Sequence, residues 1–387
     1  MKCLFINPDY PPPMVGGSVV YYYYLHSAFV SEELVVLTAQ APGTAEFDAL
    51  LPYRVIRRNF IKRTAINEAH LAKAVNLIKQ FFAAWGLIVK EKTDVIHIGN
   101  FYPGAFIGWL LSLTTGKHWV ATVMGEDLTG IYTAGPIRRK LVLMALRRAD
   151  GVLTISKYAV NKLIEHGVEP GRITLLTPGF DSAKCNATSA KEPGIWSGIK
   201  DKSILLTVGR LIERKGQDMV LRSLPIIIKD HPGVHYVIAG AGQEEARLKG
   251  LIADLGLQKQ VTVVTDATDE EVAYLYQHCQ IFIMPNRALP NGDNEGFGIV
   301  YLEAGYWGKP VIGGRDGGVP DAVEDGVSGL LVDGSDTGQI SRAILRLLGD
   351  ADLCQRMGRA GRLEALANGW SEKSSRLKLV LQGAALK

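Results

Sequence analysis

Two short stretches carry residues whose types and spacing suit chemistry on a phosphorylated ligand. In "TVGRLIERKG", Gly209 ends an apolar run, and Arg210 and Lys215 share the loop before a helix predicted to begin near Gly216 or Gln217. A guanidinium and an ammonium at a helix entrance form a clamp for a diphosphate. A solvated basic loop is the plainer reading of the same residues. In "NEGFGIVYLEAGYW", Glu295 and Glu303 stand eight positions apart, with Phe297, Gly298 and Ile299 between them. The pattern predicts a helix starting at those three residues, its N–H groups and dipole aimed at an anion. Helical spacing would separate the carboxylates by about 12 Å, at about 1.5 Å per residue. That matches the reach from sugar to ribose across a diphosphate, so one carboxylate suits sugar hydroxyls and the other ribose hydroxyls. The plainer alternative makes Glu295 a helix-start acid and Glu303 a solvated residue. The apolar neighbours Tyr301, Leu302, Ala304 and Tyr306 count against it, because a lone carboxylate among them is costly.

Elements able to position these residues recur along the whole chain. "CLFIN", "LVVLT", "DVIHI", "HWVATVM", "GVLTIS" and "ITLLTPG" read as strands in the first half. "SILLTVG", "VHYVIAG", "VTVVT", "IFIMP", "KPVIGG" and "SGLLVD" do so in the second. Strands of Val, Ile and Leu without polar alternation belong to parallel sheets covered on both faces. Their alternation with helical patterns predicts two doubly wound α/β domains. The aperiodic segment from Asp181 to Ser203 reads as the linker. The division expected is 1–180, a linker at 181–202, 203–365, and a helical segment at 366–387 packing back toward the N-terminal domain. The crevice at the carboxyl ends of the strands is the default ligand site.

Composition sets the class. The chain has 387 residues, 47% of them hydrophobic, enough for two cores. Residues 1–190 hold 20 basic against 14 acidic residues, +6, and the remainder 23 against 25, −2. Nine basic residues lie between Arg54 and Lys92, against Glu68 and Glu91. No nucleic-acid motif accompanies that patch, so it points to an anionic surface or acidic substrate. Cys3, Cys185, Cys279 and Cys354 are widely spaced without a CxxC pair, which predicts reduced thiols in a cytoplasm. No uninterrupted apolar run approaches the roughly 18 residues of a spanning helix.

"GRLIERKG" together with "EGFGIVYLEA" resembles the retaining glycosyltransferases of family 4, with the GT-B fold. The resemblance extends over nearly the whole chain, through "PPPMVGGSVVYYYYL", "ISKYAVNKLIEHGVEPGRITLLTPGFD" and "GGVPDAVEDGVSGLLVD". It implies two Rossmann-like domains facing each other across a cleft and transfer of a hexose from a nucleotide-diphosphate sugar, of GDP-mannose or UDP-glucose type, to a glycan or lipid-linked hydroxyl. Arg210 and Lys215 would bind the donor pyrophosphate, Glu295 the sugar, the backbone at Phe297, Gly298 and Ile299 sugar and phosphate, and Glu303 the ribose. Arg210, Lys215 and Glu295 are the catalytic candidates, and Gly16 and Gly17 match the glycine loop approaching the diphosphate. Front-face displacement, without a carboxylate nucleophile, accounts for the absence of a Ser-His-Asp or Cys-His set. No DxD stands where a metal would be needed, so neither metal nor cofactor is expected. Two positions depart from the family: Met124 stands where many relatives have a histidine, and "VTVVTDAT" lacks a Phe-x-Gly.

Glu126, Asp127 and His97 are acceptor-side candidates, with helix capping for the two acids and a packed imidazole for His97 as the plainer readings. Tyr21 to Tyr24 are expected to form a helix with some rings in the core. "RRNFIKRTAINEAHLAKAVNLIKQFFAAWGLIVKEK" reads as a basic, aromatic-bearing amphipathic helix that suits an anionic membrane surface, or as a helix buried on one face and solvated on the other. The first reading places residues 54–92 against the inner face of a membrane. Two alternatives to transfer remain open on sequence: a GT-B phosphorylase or epimerase, and a non-catalytic nucleotide-binding scaffold.

Overall fold

A computed structural model describes residues 1–14, 16–61, 70–99, 101–133, 135–181 and 190–386, without the side chains of residues 70, 102, 103, 126 and 132. Residues 182–189 of the linker, with Cys185, and part of the basic stretch therefore fall outside the described residues. The chain divides into one unit made of Met1–Gly179 with Trp370–Lys387, and a second made of Phe180–Gly369.

The first unit is built on seven parallel strands: β1 (Cys3–Ile6), β2 (Leu34–Ala39), β3 (Arg54–Arg58), β4 (Val95–Ile98), β5 (His118–Val123), β6 (Gly151–Thr154) and β7 (Ile173–Leu175). Their order is β3-β2-β1-β4-β5-β6-β7. The helices are α1 (Gly17–Leu25), α2 (Thr44–Ala49), α3 (His70–Glu91), α4 (Phe101–Thr115), α5 (Gly125–Thr133), α6 (Pro136–Leu146) and α7 (Lys157–Glu165). Every residue of β1, β2, β4 and β6 is buried, as expected of strands covered on both faces. One face packs Leu4, Ile6, Leu37, Ile96 and Ala121 under α3 to α7.

Against the other face lies α1. Tyr21 and Tyr22 are buried, while Tyr23 and Tyr24 stay half-buried. The Tyr21 hydroxyl donates to the Leu176 carbonyl at 3.0 Å, and Tyr24 stacks on Trp370. Trp370 opens the terminal helix of the chain (Trp370–Ala385), which packs on α1, β4 and β5 with Lys378 2.6 Å from Glu33. A short core sheet gains a lid this way, at roughly 1.5–3 kcal/mol for each large apolar side chain fully buried.

Strand β3 corrects the helical reading at its start, Arg57 and Arg58. "RVIRR" is an edge strand whose burial peaks at its centre, and Arg57 grips Asp48 of α2 with two bonds of 2.7 and 2.8 Å. The helix begins after it, as α3.

The second unit has strands β8 (Ser203–Val208), β9 (Val234–Ala239), β10 (Val261–Val264), β11 (Ile281–Met284), β12 (Val311–Gly314) and β13 (Gly329–Val332), in the order β10-β9-β8-β11-β12-β13. Its helices are α8 (Gln217–Asp230), α9 (Glu245–Asp254), α10 (Asp269–His278), α11 (Ile299–Tyr306), α12 (Thr337–Gly349) and α13 (Ala351–Ala367), and the terminal helix of the chain becomes α14. All strand pairs are parallel. Chain direction across the sheet reverses between β8 and β11, the place where doubly wound sheets bind their ligands. The loop after β8 carries Arg210 and Lys215. The one after β11 leads to Glu295.

Candidate active site

The loop after β8 tightens into a single 3-10 turn, Glu213–Lys215, before α8 starts. Gly216 makes that sequence possible: its φ is +75°, and a Cβ there would lie 2.2 Å from the Pro285 carbonyl oxygen. The turn swings Arg214 and Lys215 inward, where both are buried, and leaves Arg210 exposed at the strand end. Gln217 donates to the Arg210 carbonyl at 3.1 Å, tying the loop's start to the helix it precedes.

Glu295 meets them. Its Oε2 accepts from Arg214 Nη1 at 2.6 Å and from Lys215 Nζ at 2.5 Å. Burial alone would push the Glu295 carboxyl up, but the adjacent Lys215 and Arg214 outweigh it and hold the group at about 2. Burial lowers Lys215 below the usual lysine range, against the pull of Glu295. The Glu295 backbone is fixed as well, since its carbonyl accepts from Gly318 N at 2.8 Å in the "GGVPD" turn.

Arg214 is the residue sequence reasoning missed. Its Nε lies 3.4 Å from Asp293 Oδ1, and its carbonyl accepts from Arg287 N at 2.9 Å. Arg287 in turn grips Asp218 of α8 with two bonds, 2.9 and 3.1 Å. The signal was present as three consecutive charges in "ERK", but nothing in that run says which of them turns inward.

Helix α11 begins at Ile299, two residues later than the sequence pattern indicates. Gly298 is its N-cap at φ +90°, where a Cβ would strike the Tyr301 ring at 2.5 Å. Glu295 therefore lies in the loop, and the helical ruler of about 12 Å does not apply from it to Glu303. Phe297 is buried beside the cap. Below it, the Tyr301 hydroxyl stands 2.7 Å from both the Met284 carbonyl and Asn286 Oδ1, pinning α11 to the end of β11. Glu303, half-buried on α11, accepts from the Tyr276 hydroxyl at 2.9 Å. Tyr276 is delivered by α10, whose start is fixed by a capping box between Thr268 and Glu271.

In the first unit, Gly16 is the N-cap of α1 at φ +94°, and a Cβ on Gly16 or Gly17 would meet nothing within 4 Å. The backbone there is open. His97 is not: fully buried, it sits 2.8 Å from Thr122 Oγ1 among Phe5, Tyr22 and His26, and burial lowers it to about 3. It holds the position of a packed core imidazole, so the acceptor-side assignment falls on burial. Asp127 is buried too, and its carboxylate accepts from Met124 N at 2.9 Å, capping the turn into α5. The Glu126 side chain lies outside the described residues. Among the described residues, no three His, Cys, Asp or Glu side chains are grouped as a metal site.

This architecture has solved counterparts. Anabaena Alr3699/HepE in complex with UDP-glucose superposes with a TM-score of 0.78 at 19% identity, covering 99% of this chain and 100% of that one. The trehalose-6-phosphate synthase OtsA does so at 0.74 and 10% identity, over 99% of each chain. Both likenesses establish the GT-B fold.

Sequence models narrow the class. "Glycosyl transferases group 1" matches residues 192–364, and "Glycosyltransferase Family 4" matches residues 15–184. The chain belongs to glycosyltransferase family 4 and is a retaining hexosyltransferase that uses a nucleotide sugar. Among its relatives is the GDP-mannose-dependent alpha-(1-6)-phosphatidylinositol monomannoside mannosyltransferase of Mycolicibacterium smegmatis, 29% identical over 98% of each chain. Another is the D-inositol 3-phosphate glycosyltransferase of Corynebacterium jeikeium, 30% identical over 73% of this chain and 71% of that protein.

Proposed function

We propose that this enzyme moves mannose from GDP-mannose to a hydroxyl of a lipid-linked acceptor at the cytoplasmic face of an anionic membrane. The supporting observation is the convergence of Lys215 and Arg214 on Glu295, next to the N-cap of α11. Cationic and hydroxyl-binding groups meet at the strand reversal, where a sugar diphosphate needs both. The full-length mannosyltransferase relative favours this donor and acceptor class over UDP-glucose and a soluble glycan.

In this reading residues 203–365 take the donor and residues 1–180 the acceptor. Arg210 and Lys215 hold the diphosphate, Glu295 the sugar hydroxyls, Glu303 the ribose, and backbone at Phe297, Gly298 and Ile299 the sugar and phosphate. The acceptor oxygen attacks the anomeric carbon on the face from which the diphosphate departs. The bond from that carbon to the phosphate oxygen breaks, and the acceptor's proton passes to the leaving phosphate. Lys215 and Arg210 stabilise the charge that develops there.

A thermal-shift panel with GDP-mannose, UDP-glucose and ADP-glucose tests the donor. GDP-mannose is expected to raise the melting temperature most, with the shift lost in Arg210→Ala and Glu303→Ala. A larger shift with UDP-glucose, or unchanged shifts in both variants, would overturn the assignment.

A further inference from the structure

We infer that α3, α4 and α6 form a face that docks on an anionic lipid bilayer, with α3 lying in the membrane interface. Leu71, Val75, Ile78, Phe82, Trp85 and Val89 recur at spacings of four and three along α3, and all six side chains are exposed. The opposite side of the helix is already committed: Gln80, Ala84, Leu87 and Ile88 are buried against the sheet, and Asn76 exchanges bonds of 2.9 and 3.3 Å with the backbone of Ile61. Leu71–Glu91 is long and apolar enough to cross a membrane, yet one face is part of the protein core. An outward stripe on such a helix fits lying in an interface rather than spanning it.

The stripe continues sideways. α4 packs against α3, and α6 against α4, on the same side of the sheet. They add exposed Leu110 and Leu113, then Ile137 and Leu141. Exposed large apolar side chains gathered on three neighbouring helices are the signature of a docking site.

Charge selects the occupant. The three helices carry Lys73, Lys79, Lys90, Arg138, Arg139 and Lys140 against one acid, Glu91. Glu91 is itself engaged by Lys2 at 2.8 Å and Arg54 at 2.7 Å. On α6, Pro136, Arg139, Lys140, Leu143 and Arg147 line an open cavity of about 440 Å³, cationic around an apolar floor, which suits a phosphate-bearing headgroup. The four-three spacing also suits a helix-to-helix seam with a second copy. Two such surfaces would bring like charges together, whereas each Lys or Arg near an anionic leaflet is attracted to it. The inference rests on the lipid-acceptor reading and adds which surface meets the lipid.

Flotation of the full-length protein with phosphatidylglycerol or phosphatidylcholine vesicles tests it. Partitioning onto phosphatidylglycerol is expected to exceed that onto phosphatidylcholine at least tenfold, and to fall at least tenfold in Phe82→Ser/Trp85→Ser. Lys79→Glu/Lys90→Glu is expected to fall similarly, which guards against a folding defect in the first variant. Equal flotation on both lipids, or variants that float like wild type, would overturn it. So would a sedimenting dimer, without vesicle binding, that the serine variant dissolves. Sugar-nucleotide thermal shifts in the same variants report on the donor site independently, so failure of one reading leaves the other visible.

A separate observation points to Arg214 as a positioning residue for the transfer reaction. Lys215 and Arg214 share one carboxylate oxygen of Glu295, and only Lys215 has a role on the diphosphate. When Lys215 turns to phosphate, Glu295 would be a buried lone carboxylate unless a second cation stays, and such a group is strongly disfavoured. Arg214 is held for that task by Asp293 on its side chain and Arg287 on its backbone. It keeps Glu295 ionised and aimed while Lys215 changes partner.

Dissociation constants for whichever of GDP-mannose and UDP-glucose binds, measured at pH 5 and pH 8, test this. Their ratio should stay near one in wild type, reach about tenfold in Arg214→Met, and return toward one in Arg214→Lys. A flat ratio in Arg214→Met with only a lowered melting temperature would make the residue structural and overturn the inference. No binding by wild type would overturn the donor reading and this one with it.

Discussion

Lys215→Met should lower kcat/KM for transfer by about 10²–10³-fold while the protein stays folded. Methionine keeps most of the aliphatic stem but removes the charge that, in the proposed mechanism, stabilises the departing diphosphate. Glu295 retains Arg214 at 2.6 Å, so the carboxylate is not stranded. Steady-state kinetics beside a melting curve separate the two effects. A variant with near-normal kcat/KM would remove Lys215 from the chemistry. Arg210→Ala offers a comparison, because that side chain is exposed at the end of β8.

Glu295→Ala should lower stability as well as rate. It leaves two buried cations, Arg214 and Lys215, side by side without their shared carboxylate. Breaking a buried pair from one side costs about 3–5 kcal/mol. In a unit of this size each kcal/mol moves the melting temperature by about 2–4 °C, so a fall of roughly 6–20 °C is expected. Glu295→Gln separates charge from shape. The carboxyl is held at about 2 against an ordinary 4.5, so it binds fewer protons folded than unfolded. Its stabilising contribution is therefore complete above about pH 4.5 and is lost as pH falls toward 2. Acid unfolding of Glu295→Gln should lack that component. An identical acid profile in wild type and Glu295→Gln would mean that the ion pairs do not hold the carboxyl down.

Much of this was legible in the sequence because parallel strands buried on both faces announce themselves by composition. Twelve of the thirteen strands lie in apolar runs such as "CLFIN" and "VHYVIAG". β3 escaped because an edge strand needs only one protected face. Its Arg54, Arg57 and Arg58 merge with the basic residues that follow, and its partner Asp48 sits in another element. The start of α11 was misplaced for a related reason. A helix entrance is set by the left-handed glycine that fits against Tyr301, and "FGI" does not state which of its residues is still outside the helix.

Inside the site, residue types were readable and directions were not. Lys215 and Glu295 suited a sugar diphosphate on type and neighbourhood alone. That they bond to each other, with Arg214 as the third member, depends on a 3-10 turn and a loop 80 positions further on. The Tyr276 contact to Glu303 likewise comes from a helix that carries no family signature. His97 and Asp127 show the reverse error. Polar residues at strand ends look available in a sequence, yet one was absorbed by an aromatic core and the other by a backbone amide.

Because the carboxylate and its two cations are already engaged with one another, an incoming anion must trade for Lys215 rather than simply bind it. Inorganic phosphate can draw Lys215 away but offers Glu295 nothing in exchange, so it should be a poor competitor even at the millimolar levels met in cells. A hexose attached to the diphosphate completes the trade with its own hydroxyls. Selectivity against small abundant ions would then arise from the resting state of the loop, before any contact with the base is made.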